Sequence, residues 1–177
     1  MLKLLTVKKL LQCRVFSVIE KKYRVKKDTF TRTIVAHKGA VAILPVLKND
    51  RIILLKQYRP ALDKTIYEVP AGTLEKGENP LLCARRELEE ETGYRAKKFK
   101  KVISVYIAPG YSTEILTVFI ATDLSRGNFS PEKYESIKPI EIPFDKAISY
   151  IKSGKISDAK TIISLLYYSS FLKNNQA

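Results

Sequence analysis

The sequence predicts a mixed α/β fold, with helices packed on a central sheet and a small strand-rich module at the N-terminus. Three observations carry this. The dense apolar runs AVAILPVL (40–47) and RIILLKQYR (51–59) read as strands buried on both faces. The stretch 80–92 instead repeats apolar residues at spacings of three and four, the periodicity of a helix. Residues before 40 alternate with a period of two, as in CRVFSVIE and DTFTRTIVAH, the pattern of half-exposed strands.

Taken in order, Lys26-Lys27-Asp28 serves as a turn inside the N-terminal module, and Lys48-Asn49-Asp50 joins the two apolar strands. TIYEVP (65–70) is a short strand stopped by Pro70. The helix that follows has Asn79 as N-cap, Pro80 at its first position, and Leu81, Ala84, Leu88 and Thr92 as one buried stripe. Gly93 closes it as a left-handed C-cap. Strands at 101–108 and 115–124, a polar loop at 125–136 and the strand IKPIEIP come next. FDKAISYIKSG and DAKTIISLLYYSSFL then form two helices.

Composition excludes several classes. With 45% apolar and 28% charged residues in 177, the chain suits one soluble globular domain with a short extra module. No apolar run approaches the ~18 residues of a membrane span. The start, MLKLLTVKKLLQ, lacks a continuous apolar stretch and a small-residue cleavage site, so it reads poorly as a signal peptide. A membrane-surface helix there is the alternative, and a cytoplasmic protein is the simplest inference. Cys13 and Cys83 form no CxxC pair, and His37 is the single histidine. A metal here would therefore be held by oxygen, which points to Mg²⁺ or Mn²⁺. The net charge of +14 suits a polyanionic partner, nucleic acid or a phosphorylated small molecule, or else solvates the surface.

The chemistry is carried by the helix. Glu87, Glu89, Glu90 and Glu91 place four carboxylates in five residues of a chain with eighteen acids. Glu87, Glu90 and Glu91 share one face, where like charges repel by about 0.2–0.5 kcal/mol per pair. They also stand near a helix C-terminus, which disfavours anions. A divalent cation would neutralise the cluster, whereas the bland reading is a solvated glutamate face. Upstream, Pro70-Ala71-Gly72-Thr73-Leu74-Glu75-Lys76-Gly77-Glu78 is a glycine-bearing loop that can offer backbone carbonyls to a metal and let phosphate approach.

Gly72, Glu78, Arg86-Glu87-Leu88, Glu90-Glu91 and Gly93-Tyr94 resemble the Nudix box, G-x5-E-x7-R-E-U-x-E-E-x-G-U, across 23 residues. The one departure is Tyr94, where an aliphatic residue is usual. The resemblance implies an α/β/α sandwich with a central mixed sheet. It also implies Mg²⁺ (or Mn²⁺) held by Glu87, Glu90, Glu91 and the Ala71 carbonyl, Arg86 orienting the glutamates, and Glu78 bracing the loop.

Further residues resemble the ADP-ribose pyrophosphatases within that superfamily. Pro109-Gly110-Tyr111-Ser112-Thr113-Glu114 is similar to their P-G-x-S-x-E element, which implies Glu114 at a metal or its water. A simple Pro-Gly turn is the other reading. Gln57-Tyr58-Arg59 with Glu68-Val69-Pro70-Ala71-Gly72 is similar to their substrate contacts, implying Arg59 at phosphate and Glu68 at the adenosine side. Without the resemblance, Arg59 would be a surface ion-pairing residue. Asp158-Ala159-Lys160-Thr161 is similar to a late helix start in these enzymes and is read as an N-capped structural helix. Glu135, ahead of Glu132, is the expected base or water-positioning residue in the loop after 124, with Glu90 the other route to an activated water. The resemblance also implies that residues 1–38 form a small antiparallel β-module, and that residues 39–177 form the hydrolase domain. That module would serve a homodimer and bind adenine, with Tyr23 and Phe30 as aromatic faces and Arg32 at ribose or phosphate.

The expected reaction is hydrolysis of ADP-ribose to AMP and ribose 5-phosphate. The alternatives are a Nudix enzyme for nucleoside triphosphates or other nucleotide sugars, and a Nudix-like RNA-binding or regulatory module. Retention of Glu87, Glu90 and Glu91 argues against the last.

Overall fold

The computed structural model describes residues 1–173. Strands β1 (Lys3–Gln12), β2 (Phe16–Val25) and β3 (Asp28–His37) form an antiparallel sheet of their own. A second, mixed sheet runs in the order β7 (Ala71–Thr73), β4 (Ala40–Pro45), β9 (Ile115–Arg126), β8 (Tyr94–Tyr106), with β4 and β9 parallel. A third, antiparallel sheet has β5 (Arg51–Arg59) between β10 (Ile137–Pro143) and β6 (Lys64–Glu68). Helices α1 (Pro80–Thr92), α2 (Phe144–Lys152) and α3 (Ala159–Phe171) complete the order.

Strand β4 shows why the chain makes a sandwich. Its successive side chains point to opposite faces. Val41 and Ile43 pack with Cys83, Ala84 and Leu88 of α1. Ala42 and Leu44 pack with Phe144, Ala147 and Leu165 of α2 and α3. The strand is apolar throughout because helices cover both sides, which is the α/β/α arrangement expected from the sequence. Ile52 to Leu55 of β5 are likewise buried.

The local signals hold for α1. Asn79 accepts a hydrogen bond from the Leu81 N–H at 2.8 Å, Pro80 opens the helix, and Gly93 closes it at φ 70°. A side chain at Gly93 would also meet Phe129. The buried stripe contains Ala84, Leu88 and Thr92, with Leu81 half-buried, and it adds Cys83 and Glu91. Asp158 caps α3 by accepting from the Thr161 N–H.

Three readings need correction. MLKLLTVKKLLQ forms the edge strand β1, paired with β2, and not a surface helix; its Leu/Lys alternation has the period of a strand. Residues 71–73 are a strand on β4 and not part of a loop. β8 begins at Tyr94, because the lysine-rich stretch before 101 pairs with β9 while exposing one face. No helix among the described residues is long and apolar enough to cross a membrane.

Candidate active site

Helix α1 runs from its Asn79 cap beneath β7, so the helix that carries the glutamates lies under the strand that carries Ala71 and Gly72. Between them opens a cleft of about 460 Å³ lined by Arg14, Lys38, Arg59, Ala71, Gly72, Glu75, Arg86, Glu87, Glu90, Glu91, Glu132 and Glu135, among others. Gly72 is required here by close approach: a Cβ on it would stand 1.8 Å from Oε1 of Glu87.

Arg86 organises the acids. Its Nη1 donates to Glu87 Oε1 at 2.7 Å and to Glu90 Oε2 at 3.2 Å. Its Nε and Nη2 reach the two oxygens of Glu78, each at 3.3 Å. Glu78 in turn accepts from the Glu75 N–H at 2.9 Å and so braces the loop ahead of the helix.

Glu91 is only 3% exposed, and its Oε2 accepts from the Ala71 N–H at 2.8 Å. Burial pushes its carboxyl up to about 8, the Ala71 bond lowers it only in part, and the charges of Glu87 and Glu135 add to the rise. Burial likewise takes Glu87 up to about 7 against the pull of Arg86, with Glu90 and Glu135 adding repulsion. Glu135 lines the same cleft as these two glutamates.

Among the described residues no three such side chains already converge as a metal cage. Arg86 holds Glu87 and Glu90, and the Ala71 amide holds Glu91, because uncompensated carboxylates spread onto the available donors. The donor set nevertheless fits a hard divalent cation: Glu75, Glu87, Glu90, Glu91, Glu132 and Glu135 line the cleft, with no cysteine or histidine among the lining residues. Glu87 and Glu91, raised by burial and mutual repulsion, are the groups such a charge would relieve.

Of the other expected site residues, Arg59 lines the cleft, and Glu68 is its buried partner outside the cleft lining. Glu68 is 1% exposed; Arg59 donates to both of its oxygens at 2.6 Å, and Lys160 donates to one of them. Burial alone would raise the Glu68 carboxyl, but Arg59 and Lys160 hold it below its ordinary value. Glu114 is half-buried immediately before β9, outside the cleft lining. The preceding loop makes a turn closed on the Ala108 carbonyl and pairs with β3 through Val35. Tyr23 and Phe30 stack on the N-terminal sheet with centroids 5.6 Å apart, and Arg32 lies over Phe30. These three are also outside the cleft lining. Sequence reasoning missed Arg14 and Lys38, which line the cleft, and Lys160, whose helix start was noticed without its ion pair. No local pattern marks Arg14 or Lys38.

A glycine-bearing strand β7, a capped helix bearing Arg86, Glu87, Glu90 and Glu91, and a mixed sheet between helices define a class of pyrophosphate-cleaving enzymes. The chain belongs to it: residues 36–164 match the NUDIX domain, and the protein is a Nudix pyrophosphatase. The chain is 44% identical over 138 residues to the ADP-ribose pyrophosphatase of Bacillus subtilis, covering 77% of this chain and 75% of that one. It is 42% identical over 142 residues to the methanol dehydrogenase activator of Bacillus methanolicus, covering 79% and 77%. Its identity to a GDP-mannose pyrophosphatase of Escherichia coli is 34% over 153 residues, covering 81% and 78%. The crystal structure of an ADP compounds hydrolase shares the fold, with a TM-score of 0.84 at 19% identity over 98% of this chain and 95% of that one.

Proposed function

We propose that this Nudix hydrolase cuts the pyrophosphate of ADP-ribose with Mg²⁺ (or Mn²⁺), giving AMP and ribose 5-phosphate, as a cytoplasmic homodimer without a nucleic-acid partner. One observation carries the reading: buried Glu91 and half-buried Glu87, both raised above the ordinary carboxylate range by desolvation, share a cleft with the cations Arg59, Lys38 and Arg14. Such a cleft matches a cation bridging to a pyrophosphate. The similarity to an ADP-ribose pyrophosphatase favours the substrate.

Glu87, Glu90, Glu91 and the Ala71 carbonyl would hold the metal, with Glu114 as a further candidate. When bound, the divalent cation supplies positive charge to the pyrophosphate oxygens and acidifies a water. Arg86 keeps the glutamates in register through the bonds described above. Arg59, fixed by its fork onto Glu68, receives a phosphate. Glu135 takes the proton of the attacking water, since it lines the same cleft as Glu87 and Glu91. Residues 1–38 contribute Tyr23 and Phe30 as a stacking platform for adenine and Arg32 for ribose or phosphate, across a dimer interface. Other nucleotide sugars form the second reading, favoured by the similarity to a GDP-mannose pyrophosphatase.

Incubation with Mg²⁺ and a panel of ADP-ribose, GDP-mannose, dinucleotides and nucleoside triphosphates, followed by product chromatography, tests this. AMP with ribose 5-phosphate formed fastest from ADP-ribose is the expected result. Preference for GDP-mannose or triphosphates would refute the substrate and keep the chemistry.

A further inference from the structure

Glu89 is the one acid of the helix cluster that the proposed chemistry does not use. It stands two residues from Glu87, so it projects away from the face that carries Glu87, Glu90 and Glu91. Its Oε1 accepts from Arg95 Nε at 2.8 Å and from the Asn128 N–H at 3.0 Å. Asn128 is the second residue of the loop that joins β9 to β10 and carries Glu135.

That loop is stapled to α1 near its start. The Gly127 N–H donates to the Gly93 carbonyl at 2.8 Å, and the Ser130 N–H donates to the Glu90 carbonyl at 3.0 Å. Both acceptors lie at the end of α1, where helix carbonyls lack internal partners. A Cβ on Gly127 would stand 3.0 Å from Oε1 of Glu89, so the backbone approaches that carboxylate closely. Further along, the Glu135 N–H donates to the Glu132 carbonyl at 2.9 Å, and Glu135 Oε2 accepts from the Glu132 N–H at 3.2 Å. Of the three bonds at the loop's start, two use backbone acceptors that any sequence provides. Only the bond to Glu89 depends on a side chain.

We propose that Glu89 is a positioning residue: by holding Asn128 it fixes the loop so that Glu135 stands over the carboxylate cleft. This rests on Glu135 acting as the base. Arg95 keeps the Glu89 carboxylate turned toward the loop, with its Nη2 at 2.7 Å.

The test is a mutant cycle read by steady-state kinetics and amide exchange. In Glu89→Ala, kcat for ADP-ribose falls about tenfold, the cost of a misplaced base, while the Mg²⁺ concentration for half-activity stays unchanged. Glu89→Gln keeps an acceptor for Asn128 and recovers most of the loss. Amides 128–130 exchange faster in Glu89→Ala. On a Glu135→Gln background, Glu89→Ala causes no further loss. An unchanged kcat in Glu89→Ala, or a full additional loss on that background, overturns the proposal. If Glu135→Gln itself leaves kcat intact, the base assignment is what fails. Faster exchange at 128–130 in Glu89→Ala then still supports the anchoring, and unchanged exchange overturns it.

Discussion

Glu68 and Glu91 are two glutamates of nearly equal burial, 1% and 3% exposed, with opposite electrostatic fates. Arg59 and Lys160 hold Glu68 below the ordinary carboxylate range. Glu91 has a single backbone N–H for a partner and rises to about 8, with Glu87 beside it at about 7. Burial costs both groups; what differs is the neutralising charge. At Glu68 the chain supplies it from its own side chains, and the result is a fixed platform under Arg59. At Glu91 the described residues supply one backbone N–H and only the weaker pull of Arg59, which is the basis for proposing an external cation there. A structural ion pair and the proposed metal site thus differ by which positive charge is encoded.

The largest effect expected from breaking this contrast is on turnover. Glu91→Gln removes the most deeply buried carboxylate of the cleft and lowers kcat on the order of a thousandfold. The same change does not weaken the metal-free fold at pH 7, where burial keeps Glu91 largely protonated and Gln is its neutral isostere; thermal melts without metal check this. Glu68→Gln does the reverse to stability. It leaves Arg59 and Lys160 without their shared carboxylate and costs about 3 kcal/mol, at the low end for a broken buried pair because Arg59 reaches solvent. Denaturant unfolding measures it.

A smaller effect follows from pH. Glu87 and Glu91 are raised above the ordinary carboxylate value of 4.5, so between about 4.5 and 8 the metal-free native state binds more protons than the unfolded chain. Their contribution to stability is fully present below about 4.5 and is lost as the pH rises toward about 8. Glu68 has the opposite sign, contributing above 4.5 and losing its contribution as the pH falls through its lowered value. Melting temperature without metal therefore falls by a few degrees from pH 6 to pH 8.5, and Mg²⁺ restores it most at the higher pH. The smallest effect is at an exposed acid. Asp123 pairs with Lys98 on the surface, at φ 56°. Asp123→Asn, which suits that left-handed backbone, leaves turnover and melting temperature unchanged.

Much of this was legible in the sequence where the cause is local. Asn79, Pro80 and Gly93 bound α1 through their own backbone preferences. The alternating faces of β4 follow from an unbroken apolar run, and the spacing from Gly72 to Tyr94 marks the carboxylate cleft. The rest depends on residues that meet only after folding. Lys160 reaches Glu68 across 92 positions and Asn128 reaches Glu89 across 39, and no local pattern encodes either contact. Arg14 and Lys38 line the cleft because the N-terminal sheet lies against it. β7 escaped notice because three residues are too few to show a period.

Titration of Mg²⁺ or Mn²⁺ into the protein by calorimetry, in two buffers of different ionisation enthalpy, tests the claim that the cleft awaits a cation. Near pH 7.5, Glu91 and part of Glu87 must give up protons to bind metal, so binding is accompanied by proton release and the heat depends on the buffer. Glu91→Gln abolishes both the binding and the release. Absent binding in the native protein, or identical binding in Glu91→Gln, would contradict the account.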